Sequence, residues 1–256
     1  MSKRNPERRM NLGGHLRELR NRLYWSALFI LAGSVGGWFL FDPVFAILQE
    51  PFKEISNTPG VTATINFGSV SAPFDLRLQV SIFLGVVMAS PFWLYNLWAY
   101  LAPALNKRSK RIALTFASGA TPLFLAGCYM AWELIPSFVK ALLSFTPEGS
   151  FNVINANEYI LFTLRILLVF GIALVLPAVL LLLNYLGVMS AKTIIKGWRL
   201  AVFLSAVVAA LATPVSDPMS MLILALPLIL LYLLAAFIAG IFDKRKSKQI
   251  EDPIDE

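Results

Sequence analysis

The sequence predicts an all-α integral membrane protein with six spanning helices, and three observations carry that prediction. Of the 256 residues, 57% are apolar and only 14% charged, with a mean hydropathy of +0.69. A soluble domain is roughly one-quarter charged, so this chain belongs in a bilayer. Six long stretches lack charge, and about 20 apolar residues cross the hydrocarbon core as a helix. Finally, 18 of the 22 Lys and Arg residues fall in segments that six crossings would place on one side.

The first span runs from Leu23 to Phe41, where Asp42 closes it, and the second from Leu78 to Leu101. The third, Ile112 to Trp132, ends at Glu133, and the fourth runs from Ile166 to Gly187. The fifth, Leu200 to Ser216, has only 17 uncharged residues and ends in Thr213-Pro214. It is short for a bilayer and should either thin the membrane locally or pack against its neighbours. The sixth fills Met219 to Phe242.

Orientation follows from the basic residues. They cluster before span one, at Lys107, Arg108, Lys110 and Arg111, at Lys192, Lys196 and Arg199, and after span six. The other side keeps Lys53, Arg77, Lys140 and Arg165 among several carboxylates. By the positive-inside rule both termini are cytoplasmic. Residues 1–256 then form one membrane domain, with a cytoplasmic N-terminal segment over 1–22 and a charged cytoplasmic tail over 243–256. Span one is too long for the apolar stretch of a cleaved signal and is expected to be retained. The net charge of +7 is spread over membrane-flanking segments with no soluble domain to organise it, which excludes nucleic acid as a partner.

Pro91, Pro122, Pro177 and Pro227 lie inside spans. Each removes a helical hydrogen bond and tends to bend its helix, so the spans should curve around a concavity; proline is also simply commoner in spanning helices. Gly33 and Gly37 form a GxxxG, which permits close helix approach. Cys128 is the sole cysteine and His15 the sole histidine, leaving no disulfide, metal site or cofactor site, and Cys128 reads as a small packing residue. No phosphate loop, nucleophile elbow or paired carboxylate within a span indicates catalysis. Charge-free span centres also argue against an ion-coupled carrier.

The segment His15-Leu16-Arg17-Glu18-Leu19-Arg20-Asn21-Arg22-Leu23 abuts span one and sets one carboxylate among three arginines. The positive-inside rule explains the arginines but not Glu18. Either Glu18 makes a helix-surface ion pair with Arg22 at i+4 or with Arg17, worth a few tenths of a kcal/mol, or it meets a cationic partner. The two are compatible if an internal arginine holds Glu18 until a ligand displaces it.

This segment, with Glu50-Pro51-Phe52, Ala72-Pro73-Phe74, Ser90-Pro91, Leu97 to Leu105, Pro147-Glu148-Gly149 and Ala212-Thr213-Pro214, resembles the TatC family in order and spacing over nearly the whole chain. The resemblance implies a six-helix, glove-shaped receptor for signal peptides bearing two consecutive arginines. It also implies assembly with single-span TatA/TatB-type subunits and with other copies of the chain, and export of folded proteins driven by the proton-motive force. The site it implies comprises Glu18 with Leu16, Arg17, Arg20 and Arg22, and Tyr100, Pro103, Leu105, Lys107 and Ser109 at the end of span two. Pro51, Pro91, Val175, Pro177 and Leu233 match positions with structural or assembly roles.

Three positions depart from the family pattern. Ser109 stands where a second glutamate is common, Val175 where a polar or acidic residue precedes the span-four proline, and Leu233 where span six often has glutamate. The first weakens a two-carboxylate grip, and the others remove polar groups expected to line the concavity and seat partner helices. A divergent or inactive paralogue acting as a membrane scaffold therefore stands as an alternative reading, as does a passive solute channel.

Overall fold

A computed structural model of the chain describes residues 12–50, 53, 63–101, 107–144, 152–185, 189–212 and 218–251. In chain order the elements are α1 (Leu12–Phe39), α2 (Phe41–Leu48), β1 (Ala63–Asn66), α3 (Ala72–Met88), α4 (Ser90–Leu101), α5 (Lys107–Leu143), β2 (Asn152–Asn155), α6 (Ala156–Tyr185), α7 (Ala191–Lys196), α8 (Trp198–Ala212) and α9 (Pro218–Glu251). Among the described residues the architecture is helical apart from the two short strands. Among the described residues three helices are long and apolar enough to cross a membrane, and five are if each of two bent pairs counts as one span. Helix α8 is apolar but has 15 residues, about 22 Å at 1.5 Å per residue against a hydrocarbon core of roughly 30 Å.

The bends fall differently from the expected proline positions. Helices α3 and α4 meet at 58°, where Pro91 cannot donate to Val87, but Pro122, Pro177 and Pro227 lie within continuous helices. At the α3–α4 break the Trp93 indole N–H donates to the Val86 carbonyl at 2.9 Å, supplying a donor near the bond that proline deletes. The sharper bend, 79° between α1 and α2, follows from Pro43. That residue has no N–H for the Phe39 carbonyl, and the chain restarts as α2 with proline in the first turn, where it is tolerated. Arg77 of α3 braces this corner. Its Nη2 donates to the Trp38 carbonyl at 3.3 Å, and its guanidinium lies 4.9 Å from the Trp38 ring and 5.1 Å from Phe41.

Lipid tails are as apolar as leucine, so membrane helices associate through close packing rather than the hydrophobic effect. Glycine makes the two main crossings possible. A Cβ on Gly37 would stand 2.7 Å from the Ser81 carbonyl oxygen, and one on Gly85 would stand 2.6 Å from that of Ile30, so the expected GxxxG contact exists and α1 packs on α3 through it. Between α5 and α6, Gly127 faces Gly171, whose Cα lies 2.8 Å from the corresponding Cβ position. Cys128 beside it is half-buried and donates to the Leu167 carbonyl at 3.3 Å, which is the packing role expected of it. The largest core cluster joins Leu76, Val80 and Phe83 of α3, Ile135 of α5, Ile160 and Phe170 of α6, and Leu224 of α9.

The strands were not foreseen. β1 and β2 pair in parallel, Ala63 with Asn152 through Asn66 with Asn155, and tie the segment before α3 to the one before α6.

Candidate functional site

The Leu16–Leu23 segment is not a separate surface turn. It forms the opening turns of the same 28-residue helix that carries the first apolar stretch, so Glu18 is rigidly placed relative to the span. Arg22 lies one turn on and donates to Glu18 Oε1 through Nε at 3.0 Å and Nη2 at 2.6 Å. The two side chains keep 27% and 22% of their surface, for Arg22 and Glu18 respectively. Of the two internal partners considered for Glu18, Arg22 makes the pair. Both bonds go to one oxygen, and Oε2 takes part in neither. Leu16, Arg17, Leu19, Arg20 and Leu23 around the pair are exposed, which gives a cationic surface with an apolar stripe.

Helix α4 lies antiparallel against α1. Phe29 stacks on Phe92 with ring centroids 4.3 Å apart, and Asn96 Nδ2 donates to Ser26 Oγ at 3.2 Å. Ser26 in turn donates to the Arg22 carbonyl at 2.9 Å. Arg22 lies one turn before Ser26 on α1, and Tyr100 one turn after Asn96 on α4. Ser26 and Asn96 are thus the residues that fix the register of the site. The sequence signal for them was a polar side chain one turn inside each apolar stretch, on the side of the charged cluster.

The remaining expected residues divide. Pro51, Pro103 and Leu105 lie outside the described residues. Lys107 and Ser109 fall in the first turn of α5, with side chains outside the description. Pro91 opens α4, and Pro177 lies within α6 beside an apolar groove. Val175 does not line an open concavity: it is 5% exposed and packs in a core cluster with Leu94, Trp98, Phe124 and Leu182. An apolar side chain suits that place, since a carboxylate there would need a buried partner. Leu233 is 48% exposed on α9, so these two positions do not share a surface. Among the described residues no group of three His, Cys, Asp or Glu side chains could hold a metal.

A model of the family described as Sec-independent protein translocase protein (TatC) matches residues 14–227. The chain is 40% identical over 242 residues to the Sec-independent protein translocase protein TatC of Xylanimonas cellulosilytica, covering 94% of this chain and 88% of that protein. It is also 40% identical to the protein of the same name from Rothia mucilaginosa, covering 96% of this chain and 84% of that one. Two crystal structures of the twin-arginine translocase receptor TatC superpose with TM-scores of 0.75 and 0.77 at 30% and 29% identity. They cover 88% and 89% of this chain and 99% and 98% of theirs.

Proposed function

The chain belongs to the TatC family of Sec-independent protein translocase proteins, multi-pass membrane transport components rather than enzymes, and from that premise we propose that it is the receptor of its translocase. On this reading it crosses the cytoplasmic membrane six times as one domain with both termini inside. It binds signal peptides with two consecutive arginines, and it assembles with single-span TatA/TatB-type subunits to export folded proteins at the expense of the proton-motive force.

The observation that carries this reading is the Glu18–Arg22 pair at the open end of α1. A guanidinium is the preferred partner of a carboxylate because its planar fork donates two parallel bonds. Glu18 already accepts from one guanidinium, so its surroundings suit such a ligand. An i,i+4 pair contributes only about 0.3–0.5 kcal/mol, which an incoming pair of arginines can replace. Arg22, once displaced, is free to turn to solvent. On this reading Tyr100, one turn beyond Asn96 on the neighbouring helix, borders the bound peptide.

The test is complementation of a strain lacking its twin-arginine receptor, paired with crosslinking of a twin-arginine peptide to membranes holding the wild-type chain or Glu18→Lys. The wild type should restore export, and Glu18→Lys should insert normally but lose the crosslink. Full crosslinking by an inserted Glu18→Lys protein would remove Glu18 from the binding surface.

A further inference from the structure

Helix α7 lies between α6 and α8 in the chain, and it is held by specific bonds. Ser190 caps α7, its Oγ accepting from the Thr193 N–H at 3.2 Å. The Asp243 carboxylate of α9 accepts from the Ala191 N–H at 2.7 Å and from Asn184 Nδ2 at 2.9 Å. The Tyr232 hydroxyl of α9 donates to the Ile194 carbonyl. With α7 held at three points, Lys192 and Lys196 of α7 and Arg199 of α8 line one open hollow of about 820 Å³, together with Thr193, Ile195 and Trp198. The carboxylate that touches this turn, Asp243, is already bonded to Asn184 and Ala191, and the hollow itself has only cations among its charged residues.

A second cavity, of about 450 Å³, shares Thr193 with the first as a lining residue. It runs between α6, α8 and α9, past Ala201, Leu204, Val208, Leu228 and Leu231. Its walls are almost entirely hydrocarbon. The two cavities share Thr193, with three cations lining the one and almost wholly apolar walls lining the other, a pairing that suits an amphiphile. Trp198 and Ile195 are half-exposed beside the cations, and Arg199 lies 5.8 Å from the Trp198 ring, an arrangement suited to the headgroup level of a bilayer. The shortness of α8 favours the same outcome, because a bilayer thinned around it brings phosphates toward the turn.

We propose that this double cavity binds one anionic phospholipid, with its phosphate among Lys192, Lys196 and Arg199 and an acyl chain in the groove along α8 and α9. Charge complementarity selects the anionic headgroup, as it does for basic pockets between spanning helices. The acyl chain of the bound lipid fills the groove between α6, α8 and α9.

The test is native mass spectrometry of the detergent-purified full chain, titrated with phosphatidylglycerol or with phosphatidylcholine of identical chains. One phosphatidylglycerol should be retained with a preference of about tenfold, a modest demand for three interfacial cations. Lys192→Gln/Lys196→Gln/Arg199→Gln should erase the preference, whereas Lys192→Arg/Lys196→Arg, which keeps the charge, should hold it. Ala201→Phe, which fills the groove and leaves the cations, should reduce retention several-fold, and tail-less glycerophosphoglycerol should not displace the lipid. Equal retention of the two lipids overturns the proposal, as does displacement by the tail-less headgroup. A photocrosslinker at Leu204 in native membranes should give adducts of phospholipid mass. Adducts of a second copy or of a single-span protein at that position would show that the groove is a protein interface instead.

Discussion

Arg22 holds Glu18 by a single oxygen. Its Nε and Nη2 both reach Oε1, at 3.0 and 2.6 Å, and Oε2 joins neither bond. An i,i+4 pair on a helix surface contributes a few tenths of a kcal/mol, whereas a charge-assisted hydrogen bond to a docked ligand contributes about 1.5–3 kcal/mol. On the proposed receptor reading, the internal arginine is a weak competitor that positions the carboxylate without blocking it.

Arg22→Gln should accordingly strengthen binding of a twin-arginine peptide by about twofold, the equivalent of 0.3–0.5 kcal/mol, while Glu18→Ala should weaken it about tenfold. Titration of a fluorescent peptide against detergent-purified variants measures both. Weaker binding by Arg22→Gln would make Arg22 a direct contact for the ligand rather than a competitor.

The α1–α3 crossing should be intolerant of a single methyl group. A Cβ at Gly85 would meet the Ile30 carbonyl oxygen and the Ser34 nitrogen, each at 2.6 Å, and backbone cannot step aside as a side-chain end can. Gly85→Ala should cost about 1–3 kcal/mol through overpacking and lower the thermal midpoint in detergent. Gly119→Ala, where nothing lies within 4 Å of the added carbon, should leave the midpoint unchanged or raise it slightly, because alanine is the better helix former. Equal midpoints for the two variants would mean that the helices separate at no cost.

At the α1–α2 corner, magnitudes separate two partners of Arg77. Asp42 lies 3.6 Å away and keeps 77% of its surface, so this pair falls in the class of exposed ion pairs that contribute about 0–1 kcal/mol. The Trp38 and Phe41 rings together with the Trp38 carbonyl give the guanidinium more partners and a desolvated stem. Arg77→Ala should therefore depress the thermal midpoint clearly and Asp42→Ala hardly at all. Arg77→Lys should recover only part of the loss, since an ammonium cannot stack flat on two rings. Comparable losses from Asp42→Ala and Arg77→Ala would assign the brace to the ion pair.

The sequence made the apolar helices and the cationic patch legible because both are local: a run without charge, and a carboxylate spaced four residues from an arginine. Where the helices bend was less so. Six prolines, Pro43, Pro91, Pro122, Pro136, Pro177 and Pro227, could have bent their helices, and a bend forms at Pro43 and Pro91, where Arg77 and Trp93 from neighbouring turns or helices supply donors to backbone carbonyls. The β1–β2 pairing joins Ala63 to Asn152, and no local pattern in four residues announces a partner so far away. Val175 stands where the resemblance implies a polar or acidic residue. Its burial beside Trp98 and Phe124 depends on how α4, α5 and α6 meet, which the sequence of α6 alone does not specify.

Ser109 gives the sharpest test of the receptor reading. It sits in the first turn of α5 within Lys107-Arg108-Ser109-Lys110-Arg111, where the family resemblance leads one to expect a second glutamate. On the receptor reading, four cations in this turn would repel a ligand carrying two arginines, and exposed charges are screened over about 8–10 Å at physiological ionic strength. Peptide binding by the wild type should therefore be weak and salt-sensitive. Ser109→Glu lowers the local charge by one and adds an acceptor, and a carboxylate at a helix N-terminus is itself favourable, so the variant should insert and fold. It should bind the twin-arginine peptide several-fold more tightly, by about one charge-assisted hydrogen bond at an exposed site. The gain should vanish for the same peptide carrying two lysines, because lysine cannot donate the bidentate fork. A gain shared equally by both peptides would reduce the effect to net charge, and no gain would place Ser109 outside the docking surface, leaving Glu18 as the carboxylate on which recognition rests.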